Sequence, residues 1–286
     1  MPSLRAIRRR IQSVKNIQQI TRAMYMIATT KLRRAQAEVK STRPYAKALD
    51  ETIARLVLRI PREEHPLLRQ REEKKIELVL FTSDRGLCGA FNENLIRRAE
   101  QFITENSGEK EISLVLIGKK ATDYFSKRPV KIVQKYFNPE REVGFEKART
   151  IADEIIKRFL SGDTDAVYMI YSVFQSPLIH RPTLSQLLPF QPKEGLELIA
   201  VEYRYEPDEM TILNELLPRQ IRMQVFQAML ETRASEMGAR MTAMDLATQN
   251  AGEMIEKLTL QMNRARQEAI TKELLDIITG AEALKK

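Results

Sequence analysis

The sequence predicts an α/β head domain, with a mostly parallel sheet, set between two long terminal helices that pair as an antiparallel coiled coil. Three observations predict it: apolar residues near both ends recur at gaps of three and four, the middle alternates short β-branched runs with amphipathic stretches, and residue usage changes at the same places. No Gly precedes Gly86, and from Arg219 to Lys286 the only aromatic is Phe226 and Pro is absent. The expected division is an N-terminal coiled-coil helix over 1–60, a charged connector over 61–75, the head over 76–206, and a C-terminal helix with a protruding tip over 207–286.

The first helix follows from Ile7, Ile11, Val14, Thr21, Ala28, Leu32, Ala35 and Val39, a stripe that fits one buried face. Ile17, Ile20, Met24 and Ile27 are expected to widen it. Ser3 is the expected N-cap, without the Glu three residues on that would complete a capping box. Pro44 should kink this helix or begin a new segment, since it lacks the N–H and crowds the preceding turn. Pro61, His65 and Pro66 then end it.

The C-terminal helix is signalled by Met237, Met241, Met244, Thr248, Ala251, Ile255, Leu258, Met262, Ala265 and Ala269, whose alternating gaps of four and three make a heptad repeat. Met, Ala and Thr stand where a stable zipper uses Leu and Ile, so the seam packs closely but specifies register weakly. At about 1.5 Å per residue, the two helices span roughly 80 Å and roughly 100–110 Å. Paired antiparallel from the head, the shorter brings Met1 beside about residue 267 and leaves roughly the last 20 residues of the longer as a single helix.

The middle reads as strands at 76–82, 112–118, 130–137 and 165–174, with helical patterns at 92–105, 119–126 and 145–160 between them. This alternation implies a Rossmann-like sheet flanked by helices, and runs at 184–188 and 198–205 suggest an antiparallel edge.

Composition limits the function. The 286 residues carry 47 Lys+Arg and 38 Asp+Glu, a net charge of +9. Residues 1–60 hold 14 basic and 3 acidic side chains, so the whole excess lies in the first helix. Such a helix could meet nucleic acid through Arg8, Arg9, Arg10, Arg33 and Arg34, but it has only Tyr25 and Tyr45 for stacking and an apolar stripe runs through it. An acidic protein surface, or its own partner helix, suits it better. A single Cys excludes an internal disulfide and points to a reducing compartment, and with no stretch of 18 apolar residues a secretory or membrane-spanning chain is not expected.

The best enzyme-like string is TSDRGLCGAFN, Thr82 to Asn92, at a strand-to-helix junction with the outline of a nucleophile elbow around Cys88. A thiol nucleophile wants a base, and the two histidines, His65 and His180, lie in other motifs; a buried structural thiol is the simpler reading. Neither a P-loop nor a G-x-G-x-x-G fingerprint occurs, and the scattered His, Cys and carboxylates make no metal cluster. No catalytic residue, cofactor or metal is therefore expected. Arg240, Arg264 and Arg266 stand out on the C-terminal helix, and the apolar end ITKELLDIITGAEAL wants a cover that the shorter helix cannot supply.

Four stretches, LRAIRRRIQSVKNIQQITRAMYMIATTKLRRAQ, FTSDRGLCGAFN, YEPD and the C-terminal ASEMGARMTAMDLATQNAGEMIEKLTLQMNRARQEAITKELLDIITGAEAL, resemble the gamma subunit of F-type ATP synthase, in order and over nearly the whole chain. The resemblance implies a non-catalytic central rotor shaft that couples ion-driven rotation of a c-subunit ring to conformational change at catalytic beta subunits. The implied partners are the alpha and beta subunits, epsilon and the c ring, with no nucleic acid and no membrane insertion. The implied place is the cytoplasmic face of the cell membrane, held there by the complex.

By the same resemblance, Met24 and Arg240 face the acidic lever of beta, and Arg266, Gln267, Thr271 and Glu273 meet catch loops of alpha and beta. Tyr203, Tyr205 and Glu206 match the stretch that meets the c ring. Glu268 departs from the small residue common at its position, and no regulatory cysteine pair is inserted. The alternative is a regulatory or nucleic-acid-associated coiled-coil adaptor with an α/β head, which would co-purify with no ATPase.

Overall fold

A computed structural model describes residues 3–106, 108, 110–137, 144–191 and 205–283. In chain order the elements are α1 (Leu4–Val57), a 3₁₀ turn (Arg62–Glu64), β1 (Lys75–Phe81), α2 (Phe91–Asn106), β2 (Glu111–Ile117), α3 (Lys119–Phe125), β3 (Lys131–Tyr136), α4 (Phe145–Ser161), β4 (Ala166–Phe174), β5 (His180–Leu188) and α5 (Glu209–Ala283). By contact they form two compact units. One is the chain up to Ala28 with the chain from Met241 onwards, and the other is Thr29–Arg240.

The larger unit is built on one five-stranded sheet of order β3-β2-β1-β4-β5. β1 lies parallel to β2 and β4, β3 parallel to β2, and β5 antiparallel to β4. The central strand KIELVLF is buried at six of its seven positions, as a strand covered on both faces must be. Alternate residues feed two separate cores. Val79, Phe81, Val115, Ile117, Val167 and Met169 pack with α4 and with the inner parts of α1 and α5. Leu78, Leu80, Leu114, Leu116 and Ile170 pack with α2 and α3 on the opposite face. The period of two in a strand makes this split.

A charged group sits inside the first core. Glu77 of β1 is 1% exposed and accepts two hydrogen bonds from the Arg158 guanidinium of α4, at 2.6 and 2.9 Å. Arg158 also approaches Glu154, which accepts a hydrogen bond from the Tyr136 hydroxyl of β3. Burial and the Glu154 carboxylate push the Tyr136 hydroxyl well above its usual range, so it stays a donor. Gly118, after β2, is fixed by space: a Cβ there would lie 2.2 Å from the Thr82 carbonyl oxygen.

Several expectations change in the structure. The edge strand β5 begins at His180, four residues before the apolar run, because pairing with β4 rather than hydropathy sets its length. Of the run 198–205, residues 198–204 lie outside the described residues and Tyr205 belongs to no strand. α1 continues through Pro44 without a break. Pro44 and Lys40, whose carbonyl loses its bond, are on the exposed face, where water replaces that bond. The charged connector buries His65, Leu67 and Leu68 in the larger core region, with Phe190 donating its N–H to the Leu67 carbonyl at 2.8 Å.

The smaller unit is a two-helix contact. Ser3 caps α1, its hydroxyl accepting from the Ala6 N–H at 3.3 Å. Val14 packs with Ala251 and Leu258, flanked by Ile11 and Ile255. At the seam the Thr21 and Thr248 hydroxyls are 2.8 Å apart, and the Gln18 amide donates to the Thr248 carbonyl at 3.5 Å. Ile17, Ile20 and Ile27 do not widen the stripe: they are 50%, 59% and 56% exposed. One partner helix covers one narrow seam, here Ile7, Val14, Thr21 and Ala28 at seven-residue spacing, and leaves positions off that line to solvent.

Candidate functional site

The strand-to-helix turn Thr82–Asn92 closes on itself through side chains. Asn92 accepts the Ser83 N–H at 2.9 Å and donates to the Ser83 hydroxyl at 2.8 Å and to the Cys88 sulfur at 3.2 Å. The Ser83 hydroxyl donates to the Arg85 carbonyl at 2.7 Å. Leu87, not Cys88, takes the left-handed backbone conformation, at φ 63°, and points outward, while Cys88 is 2% exposed. Desolvation pushes the Cys88 thiol up from its ordinary range. A nucleophile needs the reverse on both counts, exposure and a lowered pKa, so the elbow outline is a packed turn.

In sheets of this order, ligands bind outside the carboxyl ends of the strands where the order reverses, here between β1 and β4. Helix α5 occupies that place. Its buried apolar residues from Leu213 to Ala234 belong to the core on the α4 face and Ala239 to the core on the α2 face, so α5 crosses the strand ends between them. Along the crossing, Glu231 accepts the Phe174 N–H at 2.9 Å and Ser235 donates to the Ser172 carbonyl at 3.2 Å. Gly238 lies against the β4–β5 turn, where a Cβ would come within 3.2 Å of the Pro177 Cα. Arg240 pairs with Glu236 at 2.6 Å and donates to the Gly86 carbonyl at 3.3 Å and the Arg85 carbonyl at 3.5 Å. Desolvation raises the Glu236 carboxyl against the opposing pull of Arg240.

Of the residues singled out in the sequence, Arg240 has a side chain 11% exposed and pairs with Glu236. The sequence shows the arginine but not the turn folded onto it. Met24 is half-buried on α1. Arg264, Arg266, Gln267, Thr271 and Glu273 are exposed on α5, with the Thr271 hydroxyl donating to the Gln267 carbonyl at 2.9 Å. With Thr21 opposite Thr248, the first described residue, Ser3, falls opposite Arg266. Beyond that level α5 exposes Ile270, Leu274, Leu275, Ile277 and Ile278, each at least half exposed. Tyr205 is half-buried beneath the Arg59 guanidinium, 5.5 Å from the ring centroid, and Glu206 is exposed. Tyr203 lies outside the described residues.

Sequence reasoning missed Glu231, Ser235 and Gly238. Their spacing of four and three was visible, but Glu and Ser on a helix read as solvated face until the strand end they serve is known. It also missed Asp208, which caps α5 by accepting the Thr211 N–H at 2.8 Å and the Thr211 hydroxyl at 2.7 Å. These bonds hold its carboxyl below the usual range.

An α/β domain whose ligand crevice holds its own helix, with a coiled coil whose longer helix outruns its partner, defines a coiled-coil protein with an inserted sheet domain. Residues 3–284 match the family model described as ATP synthase. The chain is 48% identical over 290 residues to an ATP synthase gamma chain of Anaeromyxobacter sp. strain Fw109-5 and 46% identical over 286 residues to one of Pelotomaculum thermopropionicum, covering 100% of each chain. The protein belongs to the ATP synthase gamma-chain family. Its fold is similar to chains in the Euglena gracilis mitochondrial ATP synthase (F1 and c-ring, rotational state 3; TM-score 0.71, 20% identity, 98% of this chain and 94% of that one). It is also similar to a chain in the central stalk and c-ring of the Tetrahymena thermophila enzyme (TM-score 0.61, 24% identity, 80% and 99%).

Proposed function

We propose that this chain is the central rotor shaft of an F-type ATP synthase, coupling ion-driven rotation to nucleotide chemistry that other subunits perform. The chain itself supplies no catalytic group in this reading. The observation that carries it, beside full-length kinship with gamma chains, is the apolar end of α5. Ile270, Leu274, Leu275, Ile277 and Ile278 project beyond the level where α1 can cover them. A single helix end this apolar is supported by a socket in another protein, and the ring of alpha and beta subunits is the socket proposed.

Arg266, Gln267, Thr271 and Glu273 then supply polar contacts at the mouth of that socket, and Met24 with the exposed Ile17, Ile20 and Ile27 supplies a sliding face lower down. Arg240, which also holds the 82–92 turn, is proposed to face the acidic lever of beta together with Met24. Tyr203, Tyr205 and Glu206 are proposed to meet the c ring, and epsilon to dock on the head. Among the described residues no helix is long and apolar enough to cross a membrane. The proposed place is the cytoplasmic face of the cell membrane, peripheral and held through the complex.

Reconstitution tests the reading. Alpha and beta subunits mixed with this chain should form an ATPase complex that co-purifies with it, and removing the last dozen residues should weaken assembly or coupling while the sheet domain stays folded. Alpha and beta giving the same activity and the same assembly without the chain would sink it.

A further inference from the structure

If the chain is a rotor, something must stop α5 from turning or sliding against the sheet domain, and the strand-end crossing is placed to do it. We propose that Glu231, Ser235 and Gly238 form the anchor that locks α5 to the sheet domain, with Glu231 and Ser235 as positioning residues for torque transfer. The proposal rests on the rotor reading and deepens it.

The physical case is the kind of contact made. Apolar packing of a helix resists sliding but fixes register less sharply than a directional bond does, because dispersion is not directional. Hydrogen bonds to backbone groups set it sharply, because their geometry is fixed by the strand. Here both partners are backbone groups of β4: the Phe174 N–H, donating to Glu231, and the Ser172 carbonyl, accepting from Ser235. They are two residues apart on β4 and four apart on α5, so sliding the helix breaks both. Ser235 is fully buried and Ser172 is 1% exposed, which leaves water little access to replace a broken bond. Glu231 also meets Arg43 of α1 at 3.3 Å, tying the second helix to the same point. Gly238, one turn on, lets the Pro177 backbone close behind the crossing. The crossing ends at Arg240, where α5 passes from the larger contact unit into the smaller.

The crevice thus keeps the location of a ligand site while the chain's own helix takes the ligand's place, with backbone groups at the end of a sheet strand as the grip.

The test uses the complex of this chain with alpha and beta, the ring fixed to glass and a bead attached at Lys157→Cys, an exposed position on α4. With the complex stalled, the angular variance of the bead reports torsional compliance. Glu231→Ala with Ser235→Ala should raise the variance about twofold or more, since two directional bonds in a water-poor site are lost. ATP hydrolysis without load should stay near the parent rate. Glu231→Gln should restore the parent variance when Ser235 is present, because its amide oxygen still accepts the Phe174 N–H. Hydrogen exchange at the Phe174 amide, measured on the chain alone, should speed up in the double variant and not in Glu231→Gln. An unchanged variance alongside faster exchange would overturn the anchor. If the double variant fails to assemble, the single variants are compared, and parent-like variance in both overturns it equally. A parent chain that forms no ATPase complex would fail the rotor reading instead, while the exchange result still reports on the clamp.

Discussion

The sheet unit and the coiled-coil unit are held together in opposite ways. In the first, the central strand is covered on both faces, two cores fill the layers, and the buried Glu77 is held by two hydrogen bonds from Arg158 within one of them. In the second, a line of Ile, Val, Thr, Ala and Leu is buried while Ile17, Ile20, Ile27, Leu246 and Leu260 stay at least half exposed. Under the rotor reading these exposed side chains are left for partners. The difference teaches that the sheet unit is specified by its own interior and the coil by what surrounds it.

Substitutions can break the comparison at either end. The largest effect is expected in the sheet unit: Phe159→Ala, fully buried in α4, should cost about 3–5 kcal/mol and shift the main thermal transition. Glu77→Ala should cost roughly 3–5 kcal/mol by stranding the Arg158 guanidinium, whereas Glu77→Leu with Arg158→Met should recover much of the loss. Denaturant melts of the three chains check this, and equal losses in single and double variants would show that the pair itself stabilises.

A smaller effect separates the coil. Thr248→Val keeps the volume and removes the hydroxyl facing Thr21, and should weaken the two-helix unit by about 1 kcal/mol. Protection of α1 amides near Thr21 in hydrogen exchange should fall while the strands are unaffected.

The sheet unit should also carry the acid sensitivity. Burial lowers the pKa of both His65 and His180. The unfolded chain therefore binds protons that the folded one refuses, so stability falls as pH drops below the ordinary histidine value of about 6.5 and holds above it. His180→Gln should flatten part of that slope in melting curves taken across pH 5–7.5. The smallest change is expected for Cys88→Ser, about 1 kcal/mol or less, with assembled ATPase activity retained.

Much of this was legible in the sequence because repetition is legible. The heptads of α5 and the β-branched runs state their periods outright, and four strands fall within a residue or two of the runs that announce them. The candidate site was less so. A helix crossing strand ends joins Glu231 to Phe174 and Arg240 to Gly86, pairs 57 and 154 residues apart, with no local signature. The exposed isoleucines misled for a related reason: periodicity shows which residues could be buried, not how wide a partner covers them. Arg240 shows the same limit, since its bonds to the Arg85 and Gly86 carbonyls join it to a turn that is distant in sequence.

Watching the assembled complex turn tests the central claim most directly. With the alpha and beta ring fixed and the bead on the sheet domain at Lys157→Cys, ATP should drive sustained rotation in one direction, stopping when ATP is removed. A bead that only fluctuates about one angle while the same complex hydrolyses ATP would contradict it.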